Sequence, residues 1–178
     1  MKDTSPHAEP LFLSQRRLTA GDTEALVRFY EGLSPSAVYA FDPFGGANRE
    51  AIAQHVEGVA QGRHTACVLV DEQEAIRGHA FILNVHEEAP VFGIGLHDAA
   101  QGRGWGRRMM AEIIAEADRM GVPLVTLTVC KSNHRARALY RSFGFREVRD
   151  HRGREENDSL YCERRLQHAV RREAARGV

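Results

Sequence analysis

Between a short apolar run and an amphipathic helical pattern, this chain carries Gln101-Gly102-Arg103-Gly104-Trp105-Gly106. Upstream, Val91-Phe92-Gly93-Ile94-Gly95-Leu96-His97 is bounded by Pro90 and Asp98, which predicts a strand. Downstream, Met109, Met110, Ile113, Ile114 and Ala117 recur at helical spacing within residues 107–118. A glycine-rich turn that delivers a strand into a helix leaves backbone N–H groups unpaired at the positive end of the helix dipole. The chain is thereby held to an α/β arrangement, and the turn is a place for a pyrophosphate or another anion. Taken alone, the turn has an equally good plain explanation, in which glycine merely relieves steric crowding.

The spacing excludes two familiar phosphate binders. A dinucleotide fingerprint needs glycine at offsets of zero, two and five, and from Gly102 the last of these falls on Arg107. A nucleotide-hydrolase phosphate loop ends in Gly-Lys-Ser or Gly-Lys-Thr, and no such tripeptide follows.

A second constellation lies downstream. Residues 122–129 are β-branched and strand-like. Next, Ser132 or Asn133 is a good helix N-cap, Gly144 is placed to end the helix, and Ala136, Leu139, Tyr140 and Phe143 share one face. With both motifs in view, the sequence resembles the GNAT superfamily of acetyl-CoA-dependent N-acetyltransferases. Gln101-x-x-Gly104-x-Gly106 is similar to that family's cofactor loop, and Asn133-x-x-Ala136-x-x-Leu139-Tyr140-x-x-x-Gly144-Phe145 to its second signature. Residues 29–39 also bear a weaker similarity to bacterial protein-lysine acetyltransferase domains. The resemblance covers residues 11–165 and implies a mixed, mostly antiparallel twisted sheet of about six to seven strands with helices on both faces.

Composition narrows the setting. Lys+Arg and Asp+Glu each number 24, so the net charge is zero and nucleic acid is not an expected partner. Cys67, Cys130 and Cys162 are scattered, without a Cys-x-x-Cys pair, as suits free thiols in a reducing compartment. The polar first ten residues lack the apolar core of a signal peptide, and no apolar run approaches a bilayer's thickness, so a cytoplasmic protein without membrane contact is expected. The layout expected is a flexible N-terminus over residues 1–10, one domain over residues 11–166 and a basic tail over residues 167–178. Strands are predicted over residues 11–18, 65–71, 76–85 and 160–166, with helices over 22–32 and 49–59. A homodimer is the commonest assembly for soluble proteins that associate.

The resemblance assigns roles. The amides from Gln101 to Gly106 and on to Arg107 (Gly102, Arg103, Gly104 and Trp105 included) would take the pyrophosphate of acetyl-CoA. Backbone groups of Ile94, Gly95 and Leu96 would pair with the pantetheine arm, and Asn133 would bond that arm from the other side. Tyr140 matches the position that protonates the departing thiolate, although on spacing alone it belongs to an apolar stripe.

The general base is the gap. Many relatives carry a glutamate where this chain has Ala89-Pro90-Val91-Phe92, or a carboxylate at the position of Thr128. His97, with an ordinary pKa of about 6.5, is the candidate base, followed by Glu87, Glu88 and Asp42. Nine histidines are dispersed with no metal-ligand spacing, so no metal is expected. The reading is direct acetyl transfer to an amine of a small molecule or a protein. The alternative, motivated by the missing carboxylate, is a non-catalytic acyl-CoA-binding regulatory module. Phe41, Asp42 and Phe44 are suited to greeting a cationic amine, or to forming an ordinary turn.

Overall fold

The computed structural model describes residues 12–152 and 158–166. The termini assigned above to a flexible segment and a basic tail lie outside the described residues, as does part of the loop near residue 155. Strand β1 (Leu13–Arg17) leads into helices α1 (Thr23–Glu31), α2 (Pro35–Ala40) and α3 (Arg49–Ala60). Strands β2 (Thr65–Asp71), β3 (Ile76–Leu83) and β4 (Val91–Leu96) follow, then α4 (Trp105–Arg119), β5 (Leu124–Cys130), α5 (His134–Ser142), β6 (Arg146–His151) and β7 (Ser159–Arg165). The seven strands make one sheet in the order β1-β2-β3-β4-β5-β7-β6. Every neighbouring pair is antiparallel except β4 with β5. No helix among the described residues is long and apolar enough to cross a membrane.

Side-chain alternation on the strands divides the interior into two cores. On β2, buried along its whole length, Cys67 and Leu69 join the core that also holds Met109, Met110, Ile113 and Ile114 of α4. Ala66, Val68 and Val70 join the other, with Leu26, Phe29 and Tyr30 of α1 and Ile52 and Val56 of α3. Helices therefore cover both faces, which is why the continuous apolar run at residues 66–70 makes a stable strand. Each of the large apolar side chains buried this way contributes on the order of 1.5–3 kcal/mol.

The boundaries differ in small ways from the sequence reading. The first strand is confined to Leu13–Arg17 among the described residues, and residues 34–46 hold one short helix begun by Ser34 as N-cap. Helix α4 starts at Trp105, ahead of its first buried residue, because Gly104 adopts the left-handed conformation (φ 83°) that turns the chain into the helix.

The feature that builds a site is the junction of β4 and β5. Their only register pair is Val91 with Thr126, pinned by Thr126 N–H and Oγ1 donating to the Pro90 carbonyl at 2.8 and 3.0 Å. Beyond it the strands part, leaving one edge of β4 open inside the molecule. The His97 N–H donates to the Arg77 carbonyl of β3 at 2.9 Å. Antiparallel alternation therefore turns the backbone groups of Ile94 and Leu96 the other way, toward the gap.

Candidate functional site

A cleft of about 690 Å³ occupies that gap. Gly93 to Leu96 of β4 form one side, Thr128 and Val129 of β5 and Asn133, Ala136, Leu139 and Tyr140 at α5 form the other, and the glycine turn closes one end. The sequence motifs, separated by some thirty residues, thus meet in one cavity because β5 returns alongside β4.

At the glycine end, Gly102 and Gly104 both have positive φ (78° and 83°), a conformation that L side chains rarely adopt. Among the described residues, the amides of 102 to 107 make no backbone hydrogen bond, and no side chain caps α4. Six amides at a helix start are a ready acceptor of an anion. Gln101 departs from the expectation. Its N–H is spent on the Asp98 carbonyl at 3.1 Å. Its side chain donates to the Leu96 carbonyl at 3.1 Å and to Asp98 at 3.2 Å, so it ties the turn to the end of β4. Gly106 faces the cleft, where a Cβ would stand 3.6 Å from Leu96 and 3.9 Å from Leu139. Arg107 lines the cleft, its guanidinium 5.6 Å from the centre of the Phe143 ring. Arg103 and Trp105 are not among the lining residues. Trp105 packs its ring against the core beneath the Arg108 guanidinium, leaving its amide as its contribution to the turn.

Asn133 does two things at once. Its side-chain oxygen accepts from the Ala136 N–H at 3.1 Å and caps α5. Its amide nitrogen, on the cleft wall, makes no hydrogen bond among the described residues and is available as a donor. Tyr140, about two turns further on, lies edge-on to Phe92 with ring centres 6.0 Å apart and 6.1 Å from Phe145. Burial, and then the neighbouring Cys162 and Cys130, push its phenol well above the ordinary value, so it stays protonated at neutral pH. The stripe residue and the cleft residue are therefore the same residue.

His97 is not brought to the cleft. Its ring lies 5.7 Å from Phe29, against Gly32 at the end of α1. Burial, then the charge of Arg77, lowers its pKa. Glu87 and Glu88, in the β3–β4 turn, do not line the cleft either. Asp42 is the one carboxylate among the described lining residues, and it accepts a hydrogen bond from the Gly46 N–H. Phe41 lines the cleft beside it, whereas Phe44 is buried against Tyr30 and Phe81.

The sequence reading missed a buried polar chain behind the cleft. Tyr30 bonds His79 Nδ1 at 2.9 Å, and His79 Nε2 meets His55 Nε2 at 3.2 Å. Burial, then the nearby His64, pushes His55 down to about 3, and burial drives His79 well below its ordinary value, so both rings are neutral. The tautomers that satisfy most groups run Tyr30 O–H to His79 and His79 N–H to His55, leaving His55 Nδ1 as the one donor without a partner. Tyr30 and His79 are 49 residues apart, so no spacing in the sequence announces the contact.

Comparison with known proteins follows the geometry. The family model described as acetyltransferase (GNAT) family matches residues 23–145. The chain is similar to the [ribosomal protein bS18]-alanine N-acetyltransferase of Haemophilus influenzae, 34% identical over 88 residues, which is 49% of this chain and 60% of that protein. It thus spans less than two thirds of that relative's length. Its fold is similar to that of a GNAT-family acetyltransferase from Streptococcus pneumoniae (TM-score 0.71, 19% identity, 85% of this chain and 98% of that one). It is also similar to a Salmonella typhimurium protein solved with acetyl-CoA (TM-score 0.71, 18% identity, 88% and 95%). Since the family model takes in both signature motifs and more than half of the sequence, this chain belongs to the GNAT family of acetyltransferases.

Proposed function

We propose that this protein is an N-acetyltransferase that moves an acetyl group from acetyl-CoA directly to an amine held in the same cleft. The observation that carries the reading is the junction of an uncapped, glycine-rich helix start with the open edge of β4. An acyl-CoA needs such a pairing: a pyrophosphate to be cradled and an amide-bearing arm to be laid along a strand. The residues present fit it. The amides of Gly102 to Arg107 would hold the pyrophosphate, with Arg103 adding charge, and Ile94 and Leu96 would pair with the arm while Gly95 keeps that stretch narrow. Asn133 Nδ2 would donate to the arm from the opposite wall.

Acetyl transfer forms a bond from the amine nitrogen to the thioester carbon and breaks the carbon–sulfur bond, whose electron pair leaves with sulfur. The backbone N–H groups facing the gap from β4 oppose the negative charge that collects on the carbonyl oxygen. Tyr140, kept protonated by its surroundings, gives its proton to the departing sulfur. The proton lost by the amine passes to water in the open cleft, since His97 is docked on α1 and not at the reacting centre. Direct transfer is favoured over an acetylated cysteine. Burial holds the Cys67 thiol up at about 12 and the Cys162 thiol at about 11, and Cys130 does not line the cleft.

A non-catalytic acyl-CoA-binding module is the second reading, favoured by the absence of a carboxylate at Thr128 and at the start of β4. Incubation with acetyl-CoA and a panel of lysine peptides, amino acids, polyamines and aminoglycosides, followed by mass spectrometry, separates the two. An acetylated amine establishes the enzyme, and acetyl-CoA binding with no acetylated product in any class favours the module.

A further inference from the structure

The half of the cleft away from the glycine turn has a chemistry of its own. Strand β4 turns Gly93 and Gly95 toward the core shared with α1 and α3. A Cβ at Gly93 would stand 2.4 Å from Phe81 Cζ, and one at Gly95 would stand 2.3 Å from Phe41 Cδ1. The two aromatic rings thus already fill the space that side chains at these positions would take, Phe81 fully buried and Phe41 half-buried at the cleft. The rings are tilted against each other at 6.1 Å, and both line the cleft with Leu33, Ala37 and Leu83. Charge is sparse on this side. Of the charged residues lining the cleft, Arg107 and Arg135 come from α4 and α5, and Asp42 follows Phe41.

From this arrangement we infer that the acceptor is a primary amine carried on an apolar or aromatic stem, which lies against the half-buried Phe41 ring seated on Gly95, with Phe81 packed behind it. The inference rests on the acetyltransferase reading and names its substrate class. Gly95 adjoins Ile94, whose backbone faces the gap, so a stem lying on the Phe41 ring brings its nitrogen to the strand where the acetyl group would be held. An apolar stem laid there leaves water, and each methylene buried is worth about fourfold in affinity. A polyamine presents several ammonium groups to a surface with one carboxylate, and those left without a partner lose their hydration without compensation. The same chemistry has two sources, a free apolar amine or a peptide whose first residue is apolar.

The test is kcat/KM for butylamine, hexylamine and phenethylamine against putrescine and spermidine, beside acetyl-transfer rates for peptides beginning with Leu or Phe against peptides beginning with Ser. Acetyl-CoA affinity is measured in parallel by calorimetry. The expected result is a rise of about tenfold or more from butylamine to hexylamine, with the diamine and triamine poorer than either. If the source is a peptide, the Leu and Phe peptides exceed the Ser peptide by a similar factor. Ala37→Phe, on half-buried α2, should fill the pocket and cut hexylamine and phenethylamine by more than butylamine, with acetyl-CoA affinity unchanged. Phe41→Ala, which removes one ring of the floor, should flatten the preference for longer stems. Spermidine outperforming hexylamine while acetyl-CoA binds would overturn the inference, as would Ala37→Phe lowering every acceptor alike. Failure to bind acetyl-CoA at all would instead overturn the function beneath it.

Discussion

Two residues in the cleft and one outside it make separable claims. Gly104 is required by its backbone, at φ 83° with an unpartnered amide beside it. Gly104→Ala is expected to cost roughly 1–2 kcal/mol of stability through left-handed strain. It should also weaken coenzyme A binding, to be read as a lower melting temperature and a raised Kd. Asn133 combines capping with a donor aimed into the cleft. Asn133→Ala should lose about 1 kcal/mol of stability and also acetyl-CoA affinity. Asn133→Asp, which keeps the cap and lacks the N–H, should restore the melting temperature but not the affinity. His97 makes the opposite kind of claim. Its ring is a packing element on α1, so His97→Gln should lower stability while leaving the pH dependence of kcat as in the wild type. A lost acidic-limb inflection in that variant would return His97 to the chemistry.

At the scale of elements, strand and helix identities were legible from periodicity, and both cleft-lining motifs from glycine and N-cap chemistry. Residues 66–70 are continuous and apolar because both faces of β2 are covered, and Met109, Met110, Ile113 and Ile114 mark the buried face of α4. What the sequence could not reveal is set by tertiary approach. The parting of β4 from β5 depends on one register pair at Val91 and Thr126, and the residues around it are ordinary strand formers. The docking of Phe41 onto Gly95 joins residues more than fifty apart, and the two glycines in Val91–Leu96 carry no local sign of which rings they admit. His97 looked available because it follows the strand that lines the cleft. Strand alternation then turned its ring toward α1, a matter of phase that a one-residue shift would reverse.

At the scale of the whole molecule, the neutral histidines buried between α1, α3 and the sheet couple folding to pH. His55 has a folded pKa of about 3 against an ordinary 6.5, so between those values the unfolded chain binds the proton that the folded chain refuses. Stability is therefore complete above about 6.5 and declines as pH falls toward 3, by roughly 1.4 kcal/mol per unit for one such group. Asp22 adds a second decline at lower pH. The Arg16 guanidinium holds it down to about 2, so its contribution is present above 3.8 and lost as pH falls through 2. Urea unfolding at pH 7.5 and pH 5 should show a loss of about 2 kcal/mol at the lower pH, and equal midpoints would mean that the buried rings are solvated.

The functional predictions rest on the cleft being a place where acetyl transfer occurs, and the most direct test is the rate of amine-dependent thiol release from acetyl-CoA in wild type and Tyr140→Phe side by side, with acetyl-CoA affinity measured on both. The account predicts release that requires the amine, a fall of roughly a hundredfold or more in kcat on losing the phenol, and unchanged affinity. Equal kcat in the two proteins would remove Tyr140 from the chemistry. Binding without amine-dependent release in either would leave a cleft that holds an acyl-CoA and does nothing to it.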